Sequence, residues 1–234
     1  MIFLRSLIFF IVQMIWVPLY ASMVLFTFPF KPHTRYRFAS GLACSMMWLL
    51  RVICNIRMEV HGRENIPGDP CIVMCKHQSA WETFSLQTVF PPQVWVLKRE
   101  LLWLPFFGWG LALTSPIAIN RSKTKQAMSE LIEQGLNRLH NGFCVVVFPE
   151  GTRMPYGVRG RYKIGGALLG EKSGAPVVPV AHNAGKFWGR NAFLKHPGTI
   201  VMSIGKPIDP RGMKADEILR QVEDWVESEM ERIG

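Results

Sequence analysis

The strongest constraint on the fold lies near the N-terminus, where residues 6–30 contain no charged side chain. An α-helix rises about 1.5 Å per residue, so this stretch is long enough to cross or enter the roughly 30 Å hydrocarbon core of a bilayer. Pro18 lies in its middle and is expected to kink the helix. A cleaved signal peptide is the alternative, but the stretch is too long for one and basic residues follow it.

A second apolar stretch, residues 38–50, has 13 residues and suits a re-entrant or interfacial helix better than a span. Basic residues flank both stretches: Arg5, Lys31, Arg35, Arg37, Arg51 and Arg57. Because basic residues favour the cytoplasmic side, two helices that enter one leaflet and return would keep all of them on that face. We therefore expect residues 1–56 to form a two-helix membrane anchor on the cytoplasmic face, which is the inner membrane in a bacterium. Residues 57–234 would form the second domain.

In residues 57–234, short apolar runs alternate with segments of helical periodicity. Strands are predicted at 57–61, 71–75, 94–97, 116–119, 143–148, 177–181 and 199–204, and helices at 81–89, 123–140, 165–172 and 214–232. This alternation predicts an α/β domain, a mixed sheet flanked by helices. The last helix has an apolar side and is expected to pack onto the domain as a lid.

A histidine and a glutamate follow the second predicted strand, in the sequence His77-Gln-Ser-Ala-Trp-Glu82. An imidazole titrates near pH 6.5, and it is a better base when a carboxylate fixes its tautomer and balances its charge. Residues i and i+5 do not share a helix face, so the two can meet only if His77 precedes the helix. The alternative is a capped helix start with a surface histidine. Ser79 lacks a nucleophile elbow, so we expect it to cap the helix.

A second polar segment, Phe148-Pro-Glu-Gly-Thr-Arg153, follows another predicted buried strand. Ligands of α/β proteins collect at the carboxyl edge of the sheet. Gly151 lets the backbone approach a ligand closely, and the Arg153 guanidinium can bind a phosphate through two parallel hydrogen bonds. A turn with a solvated arginine is the alternative interpretation.

Four blocks, taken in order, resemble the glycerolipid acyltransferase family, specifically the 1-acyl-sn-glycerol-3-phosphate (lysophosphatidate) acyltransferases. The blocks are Lys76–Glu82, Lys98–Gly108 running on to Ile119–Arg121, Phe148–Arg153 and Val177–Val180, and the resemblance covers roughly residues 58–210. The chain departs from the family pattern at one position. The family usually has aspartate five residues after the histidine, whereas Glu82 keeps the charge and adds one methylene.

The resemblance implies transfer of a fatty acyl group from an acyl thioester to the sn-2 hydroxyl of lysophosphatidate, which gives phosphatidate. His77 would be the general base and Glu82 would orient it. The donor would be acyl-coenzyme A or an acyl-acyl-carrier protein, and membrane lipids would surround the anchor. No cofactor or metal is expected.

The substrate phosphate needs cations, and Arg153 is the first candidate. The other candidates for the phosphate site are Lys98, Arg121, Lys163, Glu150, Gly151 and Thr152. Lys163 precedes a predicted helix start, which favours anions. Glu150 would either accept a hydrogen bond from a substrate hydroxyl or hold Arg153. The aromatic run at residues 103–109 is expected to be core, a membrane-interface contact or the wall of an acyl tunnel.

Composition narrows the functional classes. The net charge of +10 fits an anionic membrane surface and phosphate-bearing substrates, whereas nucleic acid is disfavoured because the basic residues form no run. Five cysteines without metal-ligand spacing predict a reducing compartment. A membrane-anchored lipid hydrolase or thioesterase would use His77 with water but needs no phosphate site. A non-catalytic lipid-binding adaptor is a further alternative, as is an acyltransferase for another lysolipid or glycerol 3-phosphate.

Overall fold

The computed structural model describes residues 1–120 and 124–234. The helices are α1 (Ile2–Leu25), α2 (Pro32–Cys54), α3 (Trp81–Val89), α4 (Phe107–Ala112), α5 (Thr124–His140), α6 (Gly165–Ser173), α7 (Ala184–Phe187) and α8 (Ala215–Ile233). The strands are β1 (Ile56–His61), β2 (Ile72–Cys75), β3 (Gln93–Lys98), β4 (Ile117–Ile119), β5 (Cys144–Val147), β6 (Val177–His182) and β7 (Gly198–Ile204). Single 3₁₀ segments occupy Arg63–Asn65 and Arg99–Trp103.

The seven strands form one sheet in the order β1-β7-β6-β2-β5-β3-β4. Strands β6, β2, β5, β3 and β4 run parallel, so their carboxyl ends meet at one edge. Strand β7 pairs antiparallel with β6 and parallel with β1. The sheet is therefore mixed, and the predicted α/β class with flanking helices is confirmed.

Two apolar layers cover the faces of the sheet. On one face Met46 and Leu50 of α2 and Trp81 of α3 belong to a buried cluster with Val73 and Val146. On the other face the buried cluster contains residues of α5, α6 and α8, including Leu131, Leu169, Ile218 and Val222. The C-terminal helix thus covers the sheet through its apolar side, as its sequence pattern predicts.

Helices α1 and α2 pack against each other, and the Trp16 Nε1–H donates to Ser45 Oγ at 2.8 Å. Both are long and apolar enough to cross a membrane, and only a small part of the apolar segment of each is buried. Helix α2, with 23 residues, is longer than the 13-residue stretch suggested. Pro32 fits the first helical turn with its fixed φ, and Asn55 ends the helix in a left-handed conformation with φ of 54°. The division of the chain into domains at residue 56 stays a prediction.

Two short helices, α4 and α7, were not predicted, because segments of six and four residues carry too little periodicity to be recognised. Predicted and observed ends of the other elements differ by a few residues. The predicted start of α5 at Lys123 lies outside the described residues.

Candidate active site

The central strand β2 delivers His77 to the carboxyl edge of the sheet, one loop before α3 begins. The Glu82 side chain, in the first turn of α3, reaches back over this loop. Its carboxylate accepts hydrogen bonds from the Gln78 backbone N–H at 3.0 Å and from the Ser79 N–H at 2.8 and 3.0 Å. Ser79 Oγ in turn accepts from the Trp81 N–H at 3.1 Å. The loop is held by the same side chain that meets the histidine, which is how residues five apart come together.

The His77 imidazole is fixed on two sides. His77 Nδ1 lies 2.8 Å from Glu82 Oε1, so Nδ1 carries the proton and donates to the carboxylate. The ring stacks on Phe148, with centroids 3.9 Å apart and planes 12° apart. Nε2 of His77 is left as the proton acceptor, and the His77 side chain lines the cavity described below. This is the tautomer that a general base requires.

Glu82 is fully buried, yet it is ionised. Burial by itself opposes the charge, but attraction from His182, the His77 contact and the Ser79 N–H bonds together hold the pKa of Glu82 below its usual value. A carboxylate that stays charged at neutral pH can balance an imidazolium.

A second buried histidine lies on the far side of Glu82. His182, at the end of β6, donates from Nε2 to the Lys76 carbonyl at 2.9 Å and lies 3.8 Å from Glu82 Oε2. Burial lowers the pKa of His182, against the attraction of Glu82. Sequence reasoning missed this residue; its position two residues after the Val177–Val180 block, at a strand end, is the signal that could have found it.

Glu150 lies behind the histidine rather than in the cavity. Its Oε1 accepts from the His77 backbone N–H at 3.4 Å and lies 3.6 Å from Lys76 Nζ. Lys76 is itself paired with Glu227 of α8 at 2.6 Å. Burial raises the pKa of Glu150 to about 7, against the attraction of Lys76. Glu150 thus supports the loop that carries His77.

Arg153 and His77 face the same cavity, of about 580 Å³. Its walls come from α1, α2, α3, β3 and the segment around α4, and are mostly apolar: Val17, Ala21, Val24, Leu42, Phe84, Trp95 and Leu111. Lys98 also lines it, half-exposed and 3.7 Å from Glu100. The cavity therefore combines a base, two cations and an apolar interior.

The remaining phosphate candidates lie elsewhere. Thr152 and Lys163 are exposed and line neither this cavity nor the smaller one beside it. Gly151 has φ of 70°, and a Cβ there would lie 2.7 Å from Lys163 Nζ, so this glycine allows a close approach of the lysine rather than of a substrate. Arg121 lies outside the described residues.

The aromatic run is a surface, not core. Trp103 is 71% exposed, and Phe106 and Trp109 are also exposed. The segment packs against α1 at Gly110, where a Cβ would lie 2.9 Å from the Ala21 carbonyl oxygen. Phe107 contributes to the cavity wall. The expectation of a core cluster is wrong, because these rings continue the exposed apolar surface of α1.

Comparisons with known proteins identify the family of the chain. The family described as Acyltransferase matches residues 57–183. The chain belongs to this acyltransferase family and is an O-acyltransferase. A 1-acyl-sn-glycerol-3-phosphate acyltransferase of Pseudomonas aeruginosa is 43% identical over 236 residues, covering 99% of this chain and 92% of that protein. One of Saccharomyces cerevisiae is 29% identical, over 80% of this chain and 64% of that protein.

A solved structure has the same fold. The crystal structure of the 1-acyl-sn-glycerophosphate (LPA) acyltransferase PlsC from Thermotoga maritima superposes with a TM-score of 0.80. It is 26% identical in sequence and covers 98% of this chain and 94% of its own. The family assigned from the four sequence blocks is confirmed.

Proposed function

We propose that this O-acyltransferase moves a fatty acyl group from a thioester to the sn-2 hydroxyl of 1-acyl-sn-glycerol 3-phosphate and forms phosphatidate. The observation that carries the proposal is the His77–Glu82 pair facing an apolar cavity that also contains Arg153. The relatives' names support the choice of acceptor.

The chemistry follows from the proton positions. His77 Nε2 removes the proton of the substrate hydroxyl while its oxygen attacks the thioester carbonyl carbon. Nδ1–H stays bonded to Glu82, whose charge stabilises the imidazolium. The tetrahedral intermediate then collapses, the C–S bond breaks, and the thiolate takes the proton from His77. The hydroxyl proton thus ends on the thiol, and no protein nucleophile, metal or cofactor takes part.

The cavity offers apolar side chains for the fatty acyl chain and cations for the phosphate of the acceptor. Its apolar interior suits a fatty acyl chain, since each buried methylene contributes about 0.8 kcal/mol. Arg153 lines the same cavity and would bind the phosphate of the acceptor, and Lys98 is a further candidate for that role. The donor is an acyl-coenzyme A or an acyl-acyl-carrier protein.

The anchor gives the substrates their route. Val17, Ala21 and Val24 of α1 and Ala39 and Leu42 of α2 line the cavity, while other faces of these helices expose large apolar side chains. A lipid substrate can enter from the bilayer between elements that already lie in it. The flanking basic residues favour the cytoplasmic face.

An acceptor panel tests the proposal. Purified protein in detergent receives a labelled acyl thioester with lysophosphatidate, another lysophospholipid, glycerol 3-phosphate or water alone. Lysophosphatidate should give the highest kcat/KM. A preference for another acceptor would replace the proposed substrate, and thioester loss without an acylated product would indicate a hydrolase.

A further inference from the structure

A second cavity, of about 270 Å³, adjoins the first and has no role in the mechanism above. It lies between α1 and the segment at residues 188–195, and it shares Gln13, Ala80 and Arg153 with the larger cavity. The two spaces therefore meet at these three residues, and His77 lines the larger one. Asn191 and Lys195 add polar groups to the lining of the smaller one.

Lys195 is an unusual residue for such a wall, because it is only 3% exposed. Its Nζ lies 5.0 Å from the Trp188 ring centroid and 5.5 Å from those of Phe9 and Phe193. It donates one hydrogen bond, to the Phe193 carbonyl at 2.8 Å. In the described part of the chain no carboxylate lies within ion-pair distance of it.

A buried ammonium without an anionic partner is costly, and a bound anion would offset that cost. An ammonium has three donors, so two donors of Nζ have no hydrogen-bond partner among the described residues and can bind an anion. Two contacts hold the segment that carries Lys195 against α1. The Lys195 backbone N–H donates to Ser6 Oγ at 2.9 Å, and the Phe193 ring packs on Phe3 and Phe10.

Arg153 supplies the second cation of this cavity. Its Nε is buried and has no hydrogen-bond partner among the described residues. A guanidinium nitrogen without a partner among the described residues, together with an ammonium that lines the same cavity, matches a group with several anionic oxygens.

We propose that the second cavity binds a phosphate monoester and that Lys195 is a phosphate-binding residue for the acceptor, acting together with Arg153. The inference rests on the proposed function. In lysophosphatidate the phosphate is on the carbon next to the one that bears the free hydroxyl. A phosphate held at Arg153 and Lys195 therefore leaves the hydroxyl at the junction of the two cavities, facing the larger cavity that His77 lines. The acyl chain then extends into the larger, apolar cavity.

The decisive variant is Lys195→Met, which keeps an unbranched side chain of similar length and makes favourable sulfur–aromatic contacts. Lys206→Met, at an exposed lysine that lines neither cavity, is the matched control. Loss of a charge-assisted hydrogen bond predicts a KM for lysophosphatidate about ten- to a hundredfold higher. The KM for the acyl thioester should change by no more than about twofold. In free energy, a twofold change is a small fraction of the about 1.4 kcal/mol that corresponds to a tenfold change.

The phosphate that binds in the second cavity can belong to the acceptor or to the carrier of the acyl donor. The KM for lysophosphatidate and the KM for the acyl thioester distinguish these two sources. Inorganic phosphate should compete with lysophosphatidate in the wild type and less well in Lys195→Met. An unchanged KM for lysophosphatidate overturns the proposal, and a rise confined to the thioester KM assigns the cavity to the donor. If the wild type does not acylate lysophosphatidate at all, the proposed function itself fails.

A measurement on the wild type covers the case in which Lys195→Met does not fold. Prolonged exposure to acetic anhydride labels amines that line an accessible cavity as well as surface amines, and mass spectrometry reads each lysine. Lys195, which is only 3% exposed, should be labelled slowly, and glycerol 3-phosphate should reduce its labelling while leaving that of Lys206 unchanged. Labelling of Lys195 that is equal with and without glycerol 3-phosphate, or absent in both cases, would refute the site, since an anion could then not reach Lys195.

Discussion

Replacing Glu82 by glutamine tests the core of the mechanism with little change in shape. With the amide oxygen at the position of Oε1, the bonds from His77 Nδ1–H and Gln78 N–H are kept. The amide NH₂ then takes the position of Oε2, where the Ser79 N–H donates at 3.0 Å. His182 Nε2, whose proton is also a donor, lies 3.8 Å away. The variant thus removes the negative charge and places the amide NH₂, a donor, next to two other donors, the Ser79 N–H and His182 Nε2, in a fully buried position.

The two consequences have different sizes. The amide NH₂ of the variant is a buried donor without an acceptor, and such a group lowers the free energy of unfolding by about 1–3 kcal/mol. For catalysis, the lost stabilisation of the imidazolium ranges from about 1.5 kcal/mol for a charge-assisted hydrogen bond to about 4 kcal/mol for unit charges about 4 Å apart at an effective dielectric of 20. At about 1.4 kcal/mol per decade, kcat should fall roughly tenfold to a thousandfold.

The assay is acyl transfer at saturating substrates, at a temperature where both proteins are folded by thermal melting. Glu64→Gln, at an exposed glutamate outside both cavities, is the control and should match the wild type. Glu82→Asp should retain more activity than Glu82→Gln, since only the reach changes. A kcat of Glu82→Gln within about threefold of wild type would show that Glu82 is a packing residue, because the lower estimate already predicts tenfold.

Three further predictions follow from the same geometry. His77→Ala should lose about 10²–10⁴ in rate with its melting temperature and membrane attachment retained, and activity within a few-fold of wild type would contradict the base role. Arg153→Ala should raise the KM for lysophosphatidate about ten- to a hundredfold, with partial recovery in Arg153→Lys and no effect in Arg63→Ala; a defect in the thioester KM alone would contradict it. Tags at the N-terminus and near Arg57 should both be accessible from the cytoplasmic side, and labelling from opposite sides would replace the hairpin with a single span.

Local sequence signals predicted the contact between His77 and Glu82. The loop from His77 to Glu82 is closed by hydrogen bonds between residues at most five apart, so its geometry is encoded in one short segment. The alternation of strands and helices likewise predicted the α/β class, because burial repeats with a different period in each element. Helix α2 is longer than the apolar stretch predicts. Hydrophobicity indicates which residues can contact lipid, but it does not indicate where a helix begins or ends.

The phosphate site could be predicted less well. Residue type and loop position suggested Lys163 and Thr152, but the fold directs both away from the cavities. Lys195 gave no signal in the sequence, because its meaning depends on rings from α1 and from the 188–193 segment closing around it.

The sequence alone determined the apolar anchor segment, the strand and helix pattern, and the base with its carboxylate. Each of these depends on neighbours within a few residues or on a repeating local period. Only the tertiary structure decided which side chains join them. His182 reaches Glu82 from 100 residues away because β6 pairs with β2, and Arg153 reaches the same edge because β5 pairs on the other side. The cavities between the anchor and the sheet exist only once α1 and α2 have packed, so no local pattern could contain them.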